Sequence, residues 1–216
     1  MNLDNPDLIL SRIITLLIAF TIHEYSHAQV AVWLGDDTPI KDGRLSFNPL
    51  RHLDPWGSIM LIVAGFGWAK PVRVNPYAVT RKNKAGMMLV SAAGPCSNLL
   101  LAILAALLIR SGLFKSIEYP SALSFLPKPD YFLSQFTWIN LSLLVFNMIP
   151  LSPLDGEKVV SYFIPDSFRS TWNQIQAQGM KILMLCFFIL PYLRINVLDN
   201  LIGTVTLSLY RLLVGV

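Results

Sequence analysis

His23-Glu24-Tyr25-Ser26-His27 places two imidazoles four residues apart, with a carboxylate beside the first. On an α-helix that spacing sets both rings on one face, about 40° apart around the axis. Two such rings can share one Zn²⁺, and the neighbouring Glu24 has the chemistry of a general base. Two histidines do not complete a catalytic zinc site, which takes three protein ligands and leaves the fourth position to water. Asp155, in Asn147-Met148-Ile149-Pro150-Leu151-Ser152-Pro153-Leu154-Asp155-Gly156, is the leading candidate for the third. His52, the one other histidine, is the reserve ligand. Asn147, eight residues before Asp155, has an amide that could donate to a developing oxyanion. Each residue also has a plainer reading. The two histidines could be polar residues satisfied inside a bundle, Asp155 could cap an Asp-Gly turn, His52 could bond within its own loop, and Asn147 could bond a neighbouring helix.

The surroundings of this motif are apolar. The chain has 216 residues, 54% of them hydrophobic and only 14% charged, against about 25% charged in ordinary soluble domains. The length fits one domain of several spans. The net charge of +4 does not suggest nucleic acid. Cys96 and Cys186 lie in apolar stretches without a CxxC or CxxH neighbour, and read as buried small residues. Three histidines are too few for a multi-histidine di-iron site. The first apolar run lacks a basic leader and carries the HExxH, so it is expected to remain in the mature protein.

The expected architecture is an all-α polytopic membrane bundle. Its catalytic core, residues 1–165, has spans at about 8–34, 85–109 and 131–151. Between the first two lies a small element at about 55–76. Residues 55–67 are apolar but too short to cross, and read as re-entrant. Residues 69–76, AKPVRVNP, alternate like a strand whose prolines confine it to an edge or loop. That edge could pair with an unwound substrate, or it could be an ordinary hairpin. Residues 166–216 form a membrane-associated segment with one or two further spans. Trp33, Trp56, Trp68 and Trp138 fit an interfacial belt.

Charge bias orients these spans. Residues 35–84 carry eight Lys/Arg, whereas residues 110–130 carry Arg110, Lys115 and Lys128. The first set is therefore expected on the cytoplasmic side. His27 then stands about 10 Å from the inner end of the first span. Asp155 follows the inner end of the third, where Pro150 and Pro153 unwind the chain and allow it to fold back. Both reach similar depth from the same side only if residues 55–67 do not cross.

HEYSH, Asn147, Leu154-Asp155-Gly156 and Gly94-Pro95-Cys96-Ser97-Asn98 together resemble the site-2 protease family of intramembrane zinc metalloproteases. So do NPLRHLDPWG at 48–57 and AKPVRVNP at 69–76, and the resemblance covers roughly residues 10–165. It implies one Zn²⁺ held by His23, His27 and Asp155, with Glu24 as catalyst and Asn147 assisting the transition state. It also implies a transmembrane protein substrate, cut within or near its membrane segment. The expected location is a lipid bilayer, the cell (inner) membrane in a prokaryote, with the site nearer the cytoplasm. No PDZ-like insertion is visible. Within the small-residue stretch, Asn98 reads as a packing or hydrogen-bonding residue, and Ser91 to Gly94 as a surface for close helix approach. The rival reading is a membrane zinc-binding protein without hydrolysis, either a transporter or an inactive scaffold. Nothing in the residues sets the oligomeric state.

Overall fold

The computed structural model describes residues 6–57, 69–114 and 126–215. Helix α1, Pro6–Trp33, carries the HExxH in its last third. It stops in a Schellman-type turn: Asp36 N–H donates to Ala31 C=O (3.0 Å) and Gly35 N–H to Val32 C=O (2.9 Å). Gly35 supplies the positive φ of 89° that this turn requires. A short helix α2, Thr38–Lys41, and a 3₁₀ turn, Pro49–Arg51, follow. Helix α3, Pro76–Lys82, is capped by Asn75, whose side chain accepts from the Tyr77 and Ala78 amides.

Helix α4, Gly86–Ser111, is central, packing against α1, α5, α6 and α9. Here α5 is Pro129–Asn147, α6 is Asp155–Ser161 and α9 is Val197–Val214. Between α6 and α9 lie α7, Asp166–Ala177, and α8, Gly179–Met184. The latter runs on through a π-helical stretch, Leu185–Ile189, to Tyr192. At the end of α1, Ala31, Val79 and Val90 form a buried apolar cluster joined by Val30, Leu34, Val74 and Met87.

Among the described residues, three helices are long and apolar enough to cross a membrane: Asp7–Trp33, Gly86–Ser111 and Val197–Val214. This is a helical multi-pass membrane protein. The third of these lies in the C-terminal segment. The helix that falls on the expected span at 131–151 is α5, which ends at Asn147 and is less apolar because it carries Asp130, Gln135, Asn140 and Asn147. Helix α7 meets the continuous α8 region at a 50° bend, and the pair together has the composition of one broken span.

The expected element at 55–76 is only partly described, because residues 58–68 lie outside the described set. Among the described residues it contains one antiparallel bridge, Leu53 to Ala69, and no strand. The Lys70 amide donates to His52 C=O at 2.8 Å. Two further amides of this stretch go to carboxylates: Asn75 N–H to Asp36 Oδ2 (2.7 Å) and Val72 N–H to Glu24 Oε2 (3.2 Å). Residues 70–75 thus form a strap tied by side chains to the end of α1 and to the HExxH helix.

Candidate metal centre

His23, Glu24 and His27 are all buried, at 6%, 9% and 8% exposure. The two imidazoles lie edge to face, with ring centroids 4.6 Å apart. Asp155, the first residue of α6, brings Oδ2 to 3.2 Å from His23 Nε2 and 3.3 Å from His27 Nε2. The loop that delivers it is braced from the C-terminal segment. Gln176 on α7 accepts from the Ser152 amide (2.7 Å) and donates to Pro150 C=O (3.2 Å). Gly156 lets α6 start against the end of α5, since a Cβ there would lie 2.4 Å from Met148 O and 2.6 Å from Ile149 O.

The hydrogen bonds behind the imidazoles fix which nitrogen is available. His27 Nδ1 lies 2.7 Å from Val90 C=O. A carbonyl only accepts, so Nδ1 carries the proton and Nε2 presents its lone pair. Val90 precedes Ser91, whose carbonyl loses its usual helical partner because Pro95 has no N–H. His23 is set by a longer relay. Asn140 Nδ2 donates to Phe136 C=O (2.9 Å), Asn98 Nδ2 donates to Asn140 Oδ1 (3.0 Å), and Asn98 Oδ1 faces His23 Nδ1 at 2.6 Å. The Phe136 carbonyl accepts only, so the direction of every bond follows from it. His23 Nδ1 must donate, and its Nε2 also faces the carboxylate with a lone pair. Asn98 and Asn140 are fully buried.

Two imidazole lone pairs aimed at one carboxylate oxygen repel unless a cation sits among them. The donor set fits zinc. A tetrahedron with metal–ligand bonds of about 2.0–2.1 Å has edges of about 3.3 Å. The two N···O separations are 3.2 and 3.3 Å, and all three donors lie within 4.8 Å of one another. Gly94 keeps the space open. A Cβ on it would lie 2.3 Å from His27 Nε2 and 2.5 Å from His23 Nε2.

Of the residues expected at the site, His23, His27, Asp155 and Glu24 come together. His52 stands apart: it is fully buried, and its Nε2 lies 2.6 Å from Ser46 C=O. Asn147 donates its amide to Leu143 C=O in its own helix, at 3.0 Å. Sequence reasoning did not single out Asn140 or Gln176. It assigned Gly94 to helix contact, whereas the glycine faces the imidazoles. It gave Asn98 a hydrogen-bonding role without naming His23 as the partner. An asparagine in the middle of an apolar helix was the available signal for Asn140.

The relay predicts a result. Asn98→Ala should lower zinc affinity about 10–100-fold, the usual effect of losing the group that orients a metal-bound imidazole. Asn98→Asp, which keeps an acceptor on His23 Nδ1, should retain most of the affinity. Competition with a chromogenic chelator measures both, and equal affinities in wild type and Asn98→Ala would remove the relay from the site.

The chain matches one family model and several curated relatives. The family model described as Peptidase family M50 matches residues 122–191. The Bacillus subtilis (strain 168) protein named "Putative zinc metalloprotease YwhC" is 42% identical over 179 residues, covering 83% of this chain and 80% of that protein. "Putative zinc metalloprotease Rip2" of Mycolicibacterium smegmatis is 30% identical over 146 residues. The protein of the same name in Mycobacterium tuberculosis (H37Rv) is 32% identical over 148. Each of these two alignments covers 65% of this chain and 52% of the relative, so the chain spans about half the length of the Rip2 proteins. No solved structure is a significant match. With the similarity to YwhC extending over most of both proteins, and a His-His-Asp cluster whose two histidines are buried on a membrane-type helix, the chain belongs to peptidase family M50, the site-2 protease family.

Proposed function

We propose that this protein is an intramembrane zinc metalloprotease that hydrolyses a peptide bond within or near the transmembrane segment of a membrane protein. The observation that carries the reading is the convergence of His23, His27 and Asp155, with Glu24 beside them, inside a bundle of membrane-type helices. His23, His27 and Asp155 would hold a zinc ion, which would supply a Lewis acid for the scissile carbonyl and a lowered pKa for water.

The chain's own groups do the rest. The Glu24 carboxylate takes a proton from the attacking water and delivers it to the leaving amine. Its Oε2 is held by the Val72 amide, which fixes the carboxylate beside the imidazoles. Asn147 is the candidate donor to the oxyanion. Its amide must first leave Leu143 C=O, an exchange of one hydrogen bond for a charge-assisted one. Helical peptide bonds are shielded, so the substrate unwinds before attack, and the strap at 70–75 beside Glu24 is the candidate surface for the extended chain. The Lys/Arg excess in residues 35–84 supports a site that faces the cytoplasm, in the cell (inner) membrane if the source is a prokaryote.

Metal removal tests the reading. Purified protein should cut a model transmembrane substrate, lose more than about 90% of that cleavage after dialysis against a chelator, and regain it with one equivalent of zinc. Cleavage that survives complete zinc removal would rule the reading out.

A further inference from the structure

Beside the strap lies a cleft of about 420 Å³ whose lining includes none of the zinc-site residues. Arg44, Arg51, Lys70 and Arg73 line it, with Asp42 as the one carboxylate and Leu50 at its edge. Asp42 is taken by Arg73 in a bidentate pair, at 2.8 Å from Nε and 2.5 Å from Nη2. Its carboxyl is held below the ordinary range by that pair first, with the fields of Arg44 and Lys70 adding to it. Arg44, Arg51 and Lys70 have no carboxylate partner among the described residues.

Arg44 is only 5% exposed. A guanidinium so enclosed is unfavourable without a counter-charge, and three more cations around the same space add repulsion. The groups are nevertheless held in place. Arg44 donates to Arg51 C=O, and Arg51 donates to Gly43 C=O at 3.2 Å. These bonds orient the guanidinium groups without neutralising them. Gly43, at a φ of 65°, leaves room for Arg51 to cross the turn, since a Cβ there would lie 2.8 Å from Arg51 Nη1. A pre-formed cluster with a surplus of three positive charges, four cations against one carboxylate, matches a doubly charged or bridging oxyanion.

We infer that this cleft is a binding site for a phosphate-bearing anion, supplied at the membrane by an anionic phospholipid headgroup. Its position favours the lipid source. Leu50 on its edge is 76% exposed, and Phe47 and Trp56 in the same loop region are 63% and 71% exposed, which suits contact with acyl chains around a bound headgroup. Lys70 and Arg73 bracket Val72, whose amide holds Glu24. A headgroup in the cleft therefore holds the strap on both sides of Val72.

The test uses the intact protein in phosphatidylcholine bilayers, with inorganic phosphate as the probe and binding, not cleavage, as the readout. Wild type should bind about one phosphate per chain saturably. The double variant Arg51→Gln/Lys70→Gln, which alters two exposed side chains outside the zinc site, should bind at least 10-fold more weakly. Displacement of phosphate when phosphatidylglycerol enters the bilayer identifies the headgroup as the occupant. Saturable binding that phosphatidylglycerol leaves untouched supports the anion site but overturns the lipid source. No saturable phosphate binding, or equal binding by the double variant, overturns the site itself.

Discussion

Gly94→Ala should strip zinc from this protein while leaving its helices in place. The new Cβ would fall 2.3 Å from His27 Nε2 and 2.5 Å from His23 Nε2, where real Cβ contacts do not occur. Neither ring can simply retreat. His27 is held by Val90 C=O and His23 by Asn98, so movement of either Nε2 breaks a buried hydrogen bond. The substitution itself favours the helix, because alanine is about 1 kcal/mol better than glycine in a helix interior. Loss of metal would therefore not reflect a weaker α4. Zinc content should fall from about one per chain to under a tenth of that, with an unchanged far-ultraviolet circular dichroism spectrum. A variant that purifies with full zinc would show that Gly94 does not bound the metal space.

Asp155→Ala should have an effect of similar size by a different route. It removes one of three donors and leaves the imidazoles with no anionic partner. Losing a group that merely orients a ligand costs 10–100-fold in metal affinity, so losing the ligand should exceed 100-fold. Asp155→Glu makes the contrast informative. The carboxylate chemistry is kept, but the extra methylene displaces the oxygen from the position 3.2–3.3 Å from both nitrogens. Affinity should fall between wild type and Asp155→Ala. Calorimetric titration of zinc into stripped protein orders the three. If alanine binds zinc as tightly as aspartate, the third donor lies elsewhere.

These expectations rest on residues that were unequally legible in the sequence. The histidine pair was readable because four-residue spacing on a helix is local geometry. Asp155 was readable only through topology: it had to return from the same side as His27, and the prolines before it gave it a means. Its bracing by Gln176 was not readable, because that contact joins a loop to helix α7, and their distance along the chain says nothing about their approach. The relay behind His23 was half visible. Asn98 and Asn140 are polar residues in apolar helices, which marks them as partnered. Which partner each takes depends on how α4 and α5 cross.

The strap shows where pattern misled. Alternation at Val72 and Val74 suggested a strand, yet the amides of Val72 and Asn75 donate to Glu24 and Asp36. A ladder needs evenly spaced amides facing a neighbouring strand. Here the carboxylates of Glu24 within α1 and Asp36 just beyond its end take that place, and Pro71 removes a further donor. In the C-terminal segment, Val197–Val214 gave a clear apolar helix, whereas the chain from 166 to 192 bends by 50° between Ala177 and Gly179. Gly179 is there for contact, since a Cβ on it would lie 2.3 Å from Ser152 O in the Asp155 loop.

The central claim is that Glu24 moves protons at a zinc site that cuts transmembrane substrates. Its most direct test is cleavage of a model transmembrane substrate by wild type and Glu24→Gln, with zinc determined on both. Glu24→Gln keeps the shape of the side chain and none of its basicity. The account predicts about one zinc per chain in each protein and a loss of cleavage of about 10²–10⁴-fold in the variant. Equal cleavage by the two proteins, at equal zinc content, would contradict it.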